Sequence, residues 1–419
     1  MAAKKAFIRV ASVVFVLVLV LVSLSCTGTT ERGAAFESAY QEAVNPYTFD
    51  FLGWGFSTFK TLLQARTTDV IPSGIDIEGW VVAYFQSVAE LERIRFQTNQ
   101  ARAAGRHNGL SDLVAKENEL NQRLESLRPG IQRILSEQIS LALADSGIFN
   151  PFANSWFKLT LPPVSFKIES GLNLIVVSPR QKIERMRESI IRADISAEEI
   201  ERMESTLEQQ NVSALVIPLG GLGATYPSFV IESSNMKHIL GVIAEEWLHK
   251  FMAFRPLGFR YVLDLVGLIS DPDIASLNET AVGIAAQEIG DLVFQRYYAK
   301  YYPVIDRPPV IIDPPAFDFN AVMRETRLKV DSLLAAGQVV EAEQYMERQR
   351  QILVGQGYAI RKLNQAYFAF HGSYAYTEIS VDPIGDQFRQ LRQKSSSLRQ
   401  YLDNASRLTS RQALQQLMQ

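Results

Sequence analysis

Apolar residues recur at helical spacing through most of this chain, interrupted near its middle by a stretch that alternates as strands do. Trp80, Val81, Tyr84, Phe85, Val88, Leu91 and Ile94 form one stripe, and Leu110, Leu113, Leu120, Leu124, Leu127, Ile131 and Ile134 form another. Their period of three to four residues predicts helix over 77–144, folded back on itself at Gly105 to Gly109 as an antiparallel hairpin. After Asn150 the pattern changes. Residues 164–168 alternate like a half-buried strand, and 174–177 read as a short buried one. Ser178-Pro179 predicts a helix over 182–191, and a second from Ser196, with Glu198 and Glu199 in the first turn where the helix dipole favours acid. Residues 212–219 are a further strand, broken by Gly220, Gly221 and Gly223 before a last strand over 225–231. Pro227 lacks an N–H and so predicts that this last strand lies on a sheet edge. Pro308-Pro309 and Pro314-Pro315 mark an extended connection, followed by predicted helices over 320–337, 339–354 and 361–375 and a polar helical tail over 386–419. The chain divides on this pattern into 1–26, a linker 27–36, a helical region 37–150, a core 151–302, the proline-rich connection 303–319 and a helical subdomain 320–419. The expected fold class is α+β and helix-rich, with a small mixed sheet.

Composition narrows the partners. At 419 residues, 47% hydrophobic and 21% charged, the chain has the make-up of a packed globular protein. Lys4, Lys5 and Arg9 precede an apolar run, Val10 to Leu24, that is short for a bilayer-spanning helix and suits an export signal. The remainder carries 39 basic against 45 acidic groups, a balance that argues against nucleic acid as a partner. Cys26, the sole cysteine, follows the apolar run where a lipoprotein would be cleaved and lipidated, although Ser23-Leu24-Ser25-Cys26 departs from the usual lipobox. Lipidation at Cys26 and an uncleaved anchor both place the body outside the cytoplasm, tethered to the membrane by its N-terminus. Without disulfides, stability there must come from packing.

The chemistry concentrates in Ala244-Glu245-Glu246-Trp247-Leu248-His249. It has the spacing of H-E-x-x-H, in which two imidazoles one turn apart reach a metal and the glutamate serves as general base, but Glu245 stands at the first ligand position. Glu245 and His249 are four apart and share a helix face; Glu246 lies about 100° round the axis. By itself an i, i+4 Glu–His pair is also an ordinary surface feature. Thirty residues on, Asn278-Glu279-Thr280 opens an apolar helix with Gly283, Ala286 and Gly290 on one side, small enough to admit a neighbouring helix. Glu279 would project from that side. The competing account is local, since Ser276-x-x-Glu279 also spells a capping box. Glu288 should face elsewhere, and His238 lies about 10 Å from Glu245 along the axis, too far to replace a ligand. His107 reads as a solvated turn residue. Gly220-Gly221-Leu222-Gly223 is a poor phosphate loop, lacking G-K-[ST] and leading into a strand.

Taken together, these motifs resemble the gluzincin metallopeptidases, and more closely an uncharacterised membrane-associated bacterial branch of zincin-like proteins. The residues that carry the resemblance are the 224–228 segment (Ala-Thr-Tyr-Pro-Ser), Met323 to Arg327 and Asn364 to Ala375, and it spans roughly 162–417. It implies a peptide-bond hydrolase fold in which Glu245, His249 and Glu279 hold one divalent metal and Glu246 is the base. It also implies an edge strand at Tyr226 that pairs with substrate backbone, and a late-chain oxyanion donor, either His371 or Tyr374. Arg324 and Arg327 are candidates for a substrate carboxylate, with ion-paired surface arginines as the alternative. Two carboxylates and one imidazole would lower the metal's Lewis acidity and admit harder ions such as manganese beside zinc. Three readings follow: a retuned hydrolase, a degenerate zincin that binds peptide or protein without cleaving it and holds no metal, and an unrelated anchored helical protein.

Overall fold

The computed structural model describes residues 34–50, 74, 76–103, 109–151, 160–169, 172–222, 225–265, 268, 269, 271, 273–302 and 317–418. The signal segment, Cys26, His107, Gly223, Ala224 and most of the proline-rich connection lie outside the described residues. The architecture is α+β and helix-rich, with two small sheets.

The predicted hairpin is formed by α2 (Ile77–Ala103) and α3 (Leu110–Asp145). Val81, Tyr84, Val88, Leu91 and Ile94 are buried in one cluster with Leu124, Ile131 and Ile134, so the two stripes face each other. Trp80 lies across Gly130, where any side chain would meet its ring. A short helix, α1 (Ala34–Val44), packs elsewhere, on the first sheet.

That sheet runs β3 (Arg187–Ile191), β2 (Asn173–Pro179), β4 (Val212–Pro218), antiparallel throughout. Its central strand is apolar on both faces, and both are covered. Ile175 and Val177 pack with α1 and α4 (Ala197–Glu208), while Leu174 and Val176 pack with Ala366 and Phe370. α4 starts after Ser196 as expected, and Ser196 and Glu199 cap it reciprocally. The helix expected over 182–191 is not formed: its second half is β3. Arg187 and Ser189 on this strand reach Glu37 and Tyr40 of α1, so pairing with β2 and anchoring to α1 override a helical propensity that is weak over so short a segment.

The second sheet is β1 (Phe166–Ile168), β6 (Ser228–Val230), β5 (Gly221–Leu222). Here the edge-strand expectation for Pro227 fails. β6 is the middle strand, parallel to β1 and antiparallel to β5, and Pro227 precedes it, so its missing N–H interrupts no ladder.

Against this sheet lies α5 (Met236–Met252), capped by the Asn235 side chain, and against α5 lies α7 (Ile274–Val293). A side chain at Gly290 would meet the Gly241 backbone at 2.8 Å, so α7 and α5 touch main chain to main chain. His249 meets Asn278 further along, in the reverse chain order, so the helices are antiparallel. A connecting helix, α6 (Pro256–Leu265), joins them. The hairpin of α8 (Phe319–Ala335) and α9 (Val339–Gly355) has its own core with Phe368. It precedes α10 (Gln365–His371), shorter than expected because Asn364 caps it late. The polar tail is three helices, α11 (Ile384–Lys394), α12 (Leu398–Ala405) and α13 (Arg411–Met418), packed beside α7. Among the described residues no helix is long and apolar enough to cross a membrane.

The crossing yields a paired prediction. Gly290→Ala forces α5 and α7 apart and should cost about 1–3 kcal/mol. Gly241→Ala, whose added methyl meets nothing within 4 Å, should be neutral or stabilise by up to about 1 kcal/mol. Denaturant midpoints of the two variants check this; equal losses would place the contact elsewhere.

Candidate metal centre

Helix α5 presents Glu245 and His249 on the face that meets α7, and α7 answers with Glu279 in its second turn. Donor atoms of the three lie within 4.8 Å of one another, a group that can hold a metal ion. The capping account of Glu279 does not hold. Helix α7 starts at Ile274 with Asp273 as its cap, so Ser276 is already inside it. Glu279 is 5% exposed and points into the interface.

The outer atoms of two donors are held by partners, which leaves their inner atoms facing each other. Tyr261 of α6 donates its hydroxyl to Glu279 Oε1 at 2.5 Å. Asn278 lies 3.0 Å from His249 Nδ1 through its amide nitrogen, and its Oδ1 is buried with no hydrogen-bond partner among the described residues. A half-turn of that amide lets Oδ1 accept from an Nδ1–H, the arrangement that fixes the tautomer of a metal-binding imidazole. What remains is His249 Nε2 opposite Glu279 Oε2, 3.5 Å apart. Two tetrahedral ligands at zinc distances are separated by about 3.3 Å. The His–Glu gap is therefore near that of a shared ion, and Glu245 completes the set with a donor atom within 4.8 Å of the other two.

Burial makes this cluster unusually responsive to protons. Desolvation raises Glu245 to about 8 and Glu246 to about 7; the charge of His249 opposes both shifts. For His249 desolvation acts downward, but Glu279 and the other two carboxylates prevail and lift it to about 9. Glu279 is pushed up by burial, yet held below its usual range by His249, Tyr261 and Arg185. Lys250 is lowered by burial to about 8, with Glu246 opposing; its ammonium donates to Ser228 Oγ at 2.5 Å and sits over the Tyr226 ring. Glu246 lies against Gly221, where any side chain would collide with its carboxylate.

The other candidates divide by place. Burial raises Tyr374 well above its usual range, and the charges of Glu279 and Glu245 add to the shift. His371 packs against Tyr367 at 4.2 Å and is lowered to about 4 by burial and by Arg185. Tyr226 is raised to about 12 by burial, with Ser165 opposing. Arg324 donates to the Ser380 carbonyl at 2.5 Å and lines a separate groove of about 410 Å³ with Asp382, Asp386 and Arg389. Arg327 pairs with Asp331 at 2.8 Å and donates to the Phe368 carbonyl. Neither arginine joins the cluster. Glu288 pairs with Arg392, away from the site as expected.

Sequence reading missed Tyr261, Tyr376 and the buried pair Arg185–Glu188. Tyr376 packs its ring on Gly283, one turn beyond Glu279, and Arg185 stands near Glu279, Tyr261 and Tyr374. No spacing rule could find them, because each reaches the site through tertiary packing. Compared with known proteins, the chain matches no family model, no curated protein and no solved structure.

The titration has a definite sign in metal-free protein. Glu245, Glu246 and His249 keep protons when folded that the unfolded chain releases, so their contribution falls as pH rises; Lys250 acts oppositely, mainly above pH 8. Chelator-treated protein should therefore have a lower denaturant midpoint at pH 8 than at pH 6.5, and a saturating divalent metal should flatten the difference by replacing the protons. A midpoint that rises over that interval contradicts the cluster as described. Tyr261→Phe should weaken metal affinity by about 10–100-fold in a competition titration.

Proposed function

We propose that this chain is a zincin-like metallohydrolase, tethered outside the cytoplasmic membrane by its N-terminus, that acts on peptide bonds. The observation that carries the reading is the convergence of Glu245, His249 and Glu279 from two helices, beside a buried Glu246. A divalent ion at the three donors, zinc or a harder ion such as manganese, would polarise a peptide carbonyl and acidify a water.

The chain's own residues supply the proton chemistry. Glu246 is raised towards neutrality by burial, the range in which a carboxylate can both accept a proton from attacking water and return it to the leaving amine. Tyr374, which feels the charges of Glu279 and Glu245, is the donor to the developing oxyanion in this reading. His371 packs between Tyr367 and Phe370 and feels Arg185 and not the carboxylates, so Tyr374 is preferred of the two. Asn278 and Tyr261 hold His249 and Glu279 in register.

One observation favours a second reading, a non-catalytic peptide-binding descendant. His249, Glu279 and Tyr261 satisfy one another without a metal. The two readings separate on Glu246. With metal-supplemented protein and a library of quenched fluorescent peptides, Glu246→Gln should retain bound metal and lose about 10²–10⁴-fold in turnover. Turnover that survives this change, or none in the parent protein with metal bound, rules out the hydrolase.

A further inference from the structure

We infer that Arg185 forms a carboxylate subsite beside the metal centre, so that the preferred ligand is the free C-terminal end of a peptide. This rests on the hydrolase reading for the scissile bond, though not for binding.

Arg185 lies in the segment before β3 and reaches α10 at Phe370. Its guanidinium lies over the Phe370 ring at 5.4 Å. Phe370 meets Tyr374 edge-on at 5.5 Å, Tyr374 meets Tyr376 edge-on at 6.2 Å, and Tyr376 covers Gly283, one turn beyond Glu279. This aromatic run links the arginine to the metal donors.

The guanidinium is poorly satisfied for a half-buried group whose Nε is shut off from solvent. Its bonds are long, 3.3 Å to Glu188 Oε2 and 3.4 Å to the Phe370 carbonyl. Nε stands 3.0 Å from Glu188 Oε1, yet both atoms are buried without an aligned hydrogen bond. A planar fork with donors to spare is the side chain that takes a carboxylate in bidentate fashion. Arg324 and Arg327 are committed elsewhere, so Arg185 is the guanidinium placed to do so near the centre. Hydrolysis there would add water across the last peptide bonds, its oxygen to the acyl carbon and its protons to the freed amine and carboxylate.

The test compares N-acetyl-Ala-Phe with its C-terminal amide by calorimetry on the metal-loaded full chain. The acid should bind roughly tenfold or more tightly, the worth of hydrogen bonds to a charged group. In Arg185→Met that preference should vanish while the amide binds as before, and Arg185→Lys should restore part of it. Equal binding of acid and amide by the unmodified protein, or binding of neither, overturns the subsite whether or not the variants fold. Turnover of longer peptides, followed in parallel, reports on the hydrolase reading separately: acid-selective binding without turnover keeps the subsite and removes the catalysis.

Discussion

The main-chain contact between α5 and α7 at Gly241 and Gly290 is the constraint on which the rest of the centre depends. Helices are stiff rods with fixed rise and rotation, so fixing one crossing point fixes what meets further along. Because no side chain separates the two backbones there, His249 and Glu279 arrive within 3.5 Å of each other farther along. The aligned small residues on α7 serve that approach, and Gly283 serves a second one by seating the Tyr376 ring. α6 then spans the pair and brings Tyr261 to Glu279.

Such an arrangement concentrates charge where water is scarce. Glu245, His249 and Glu279 meet between α5 and α7, and Glu246 and Lys250 of α5 face the second sheet. An isolated buried charge is costly, and these groups respond by holding protons: Glu245 and Glu246 titrate near neutrality and His249 becomes a cation. A divalent cation would relieve the same repulsion by another route. The cluster can thus be compensated by protons or by metal, and a carboxylate at Glu245, where an imidazole would be neutral, shifts the balance between them. It adds a negative charge, so protons compete more strongly and a harder ion becomes more acceptable.

Much of this was legible in the sequence, for reasons that differ by element. Long helices with clean apolar stripes were readable because their faces repeat many times, as in α2, α3, α8 and α9. Glu245, Glu246 and His249 were readable because helical spacing alone puts them in relation. Glu279 needed the small-residue face of α7 to be noticed, and the capping alternative was removed only by the helix starting earlier, at Ile274. β3 was misread as helix because its five residues gain their conformation from β2 and α1. Pro227 was misread because a proline just before a strand looks, in sequence, like one inside it. Tyr261, Tyr376 and Arg185 were invisible, since nothing local marks a side chain whose partner is ninety or more residues away, or sits on another helix.

Everything rests on whether three donors from α5 and α7 hold one ion. Equilibrium dialysis of the purified chain against zinc and manganese, read by elemental analysis, measures that directly. The geometry predicts one equivalent per chain, lost on His249→Ala and on Glu279→Ala, with tighter zinc binding when Glu245→His restores a second imidazole. A parent chain that retains no metal under saturating conditions, while remaining folded, would contradict it.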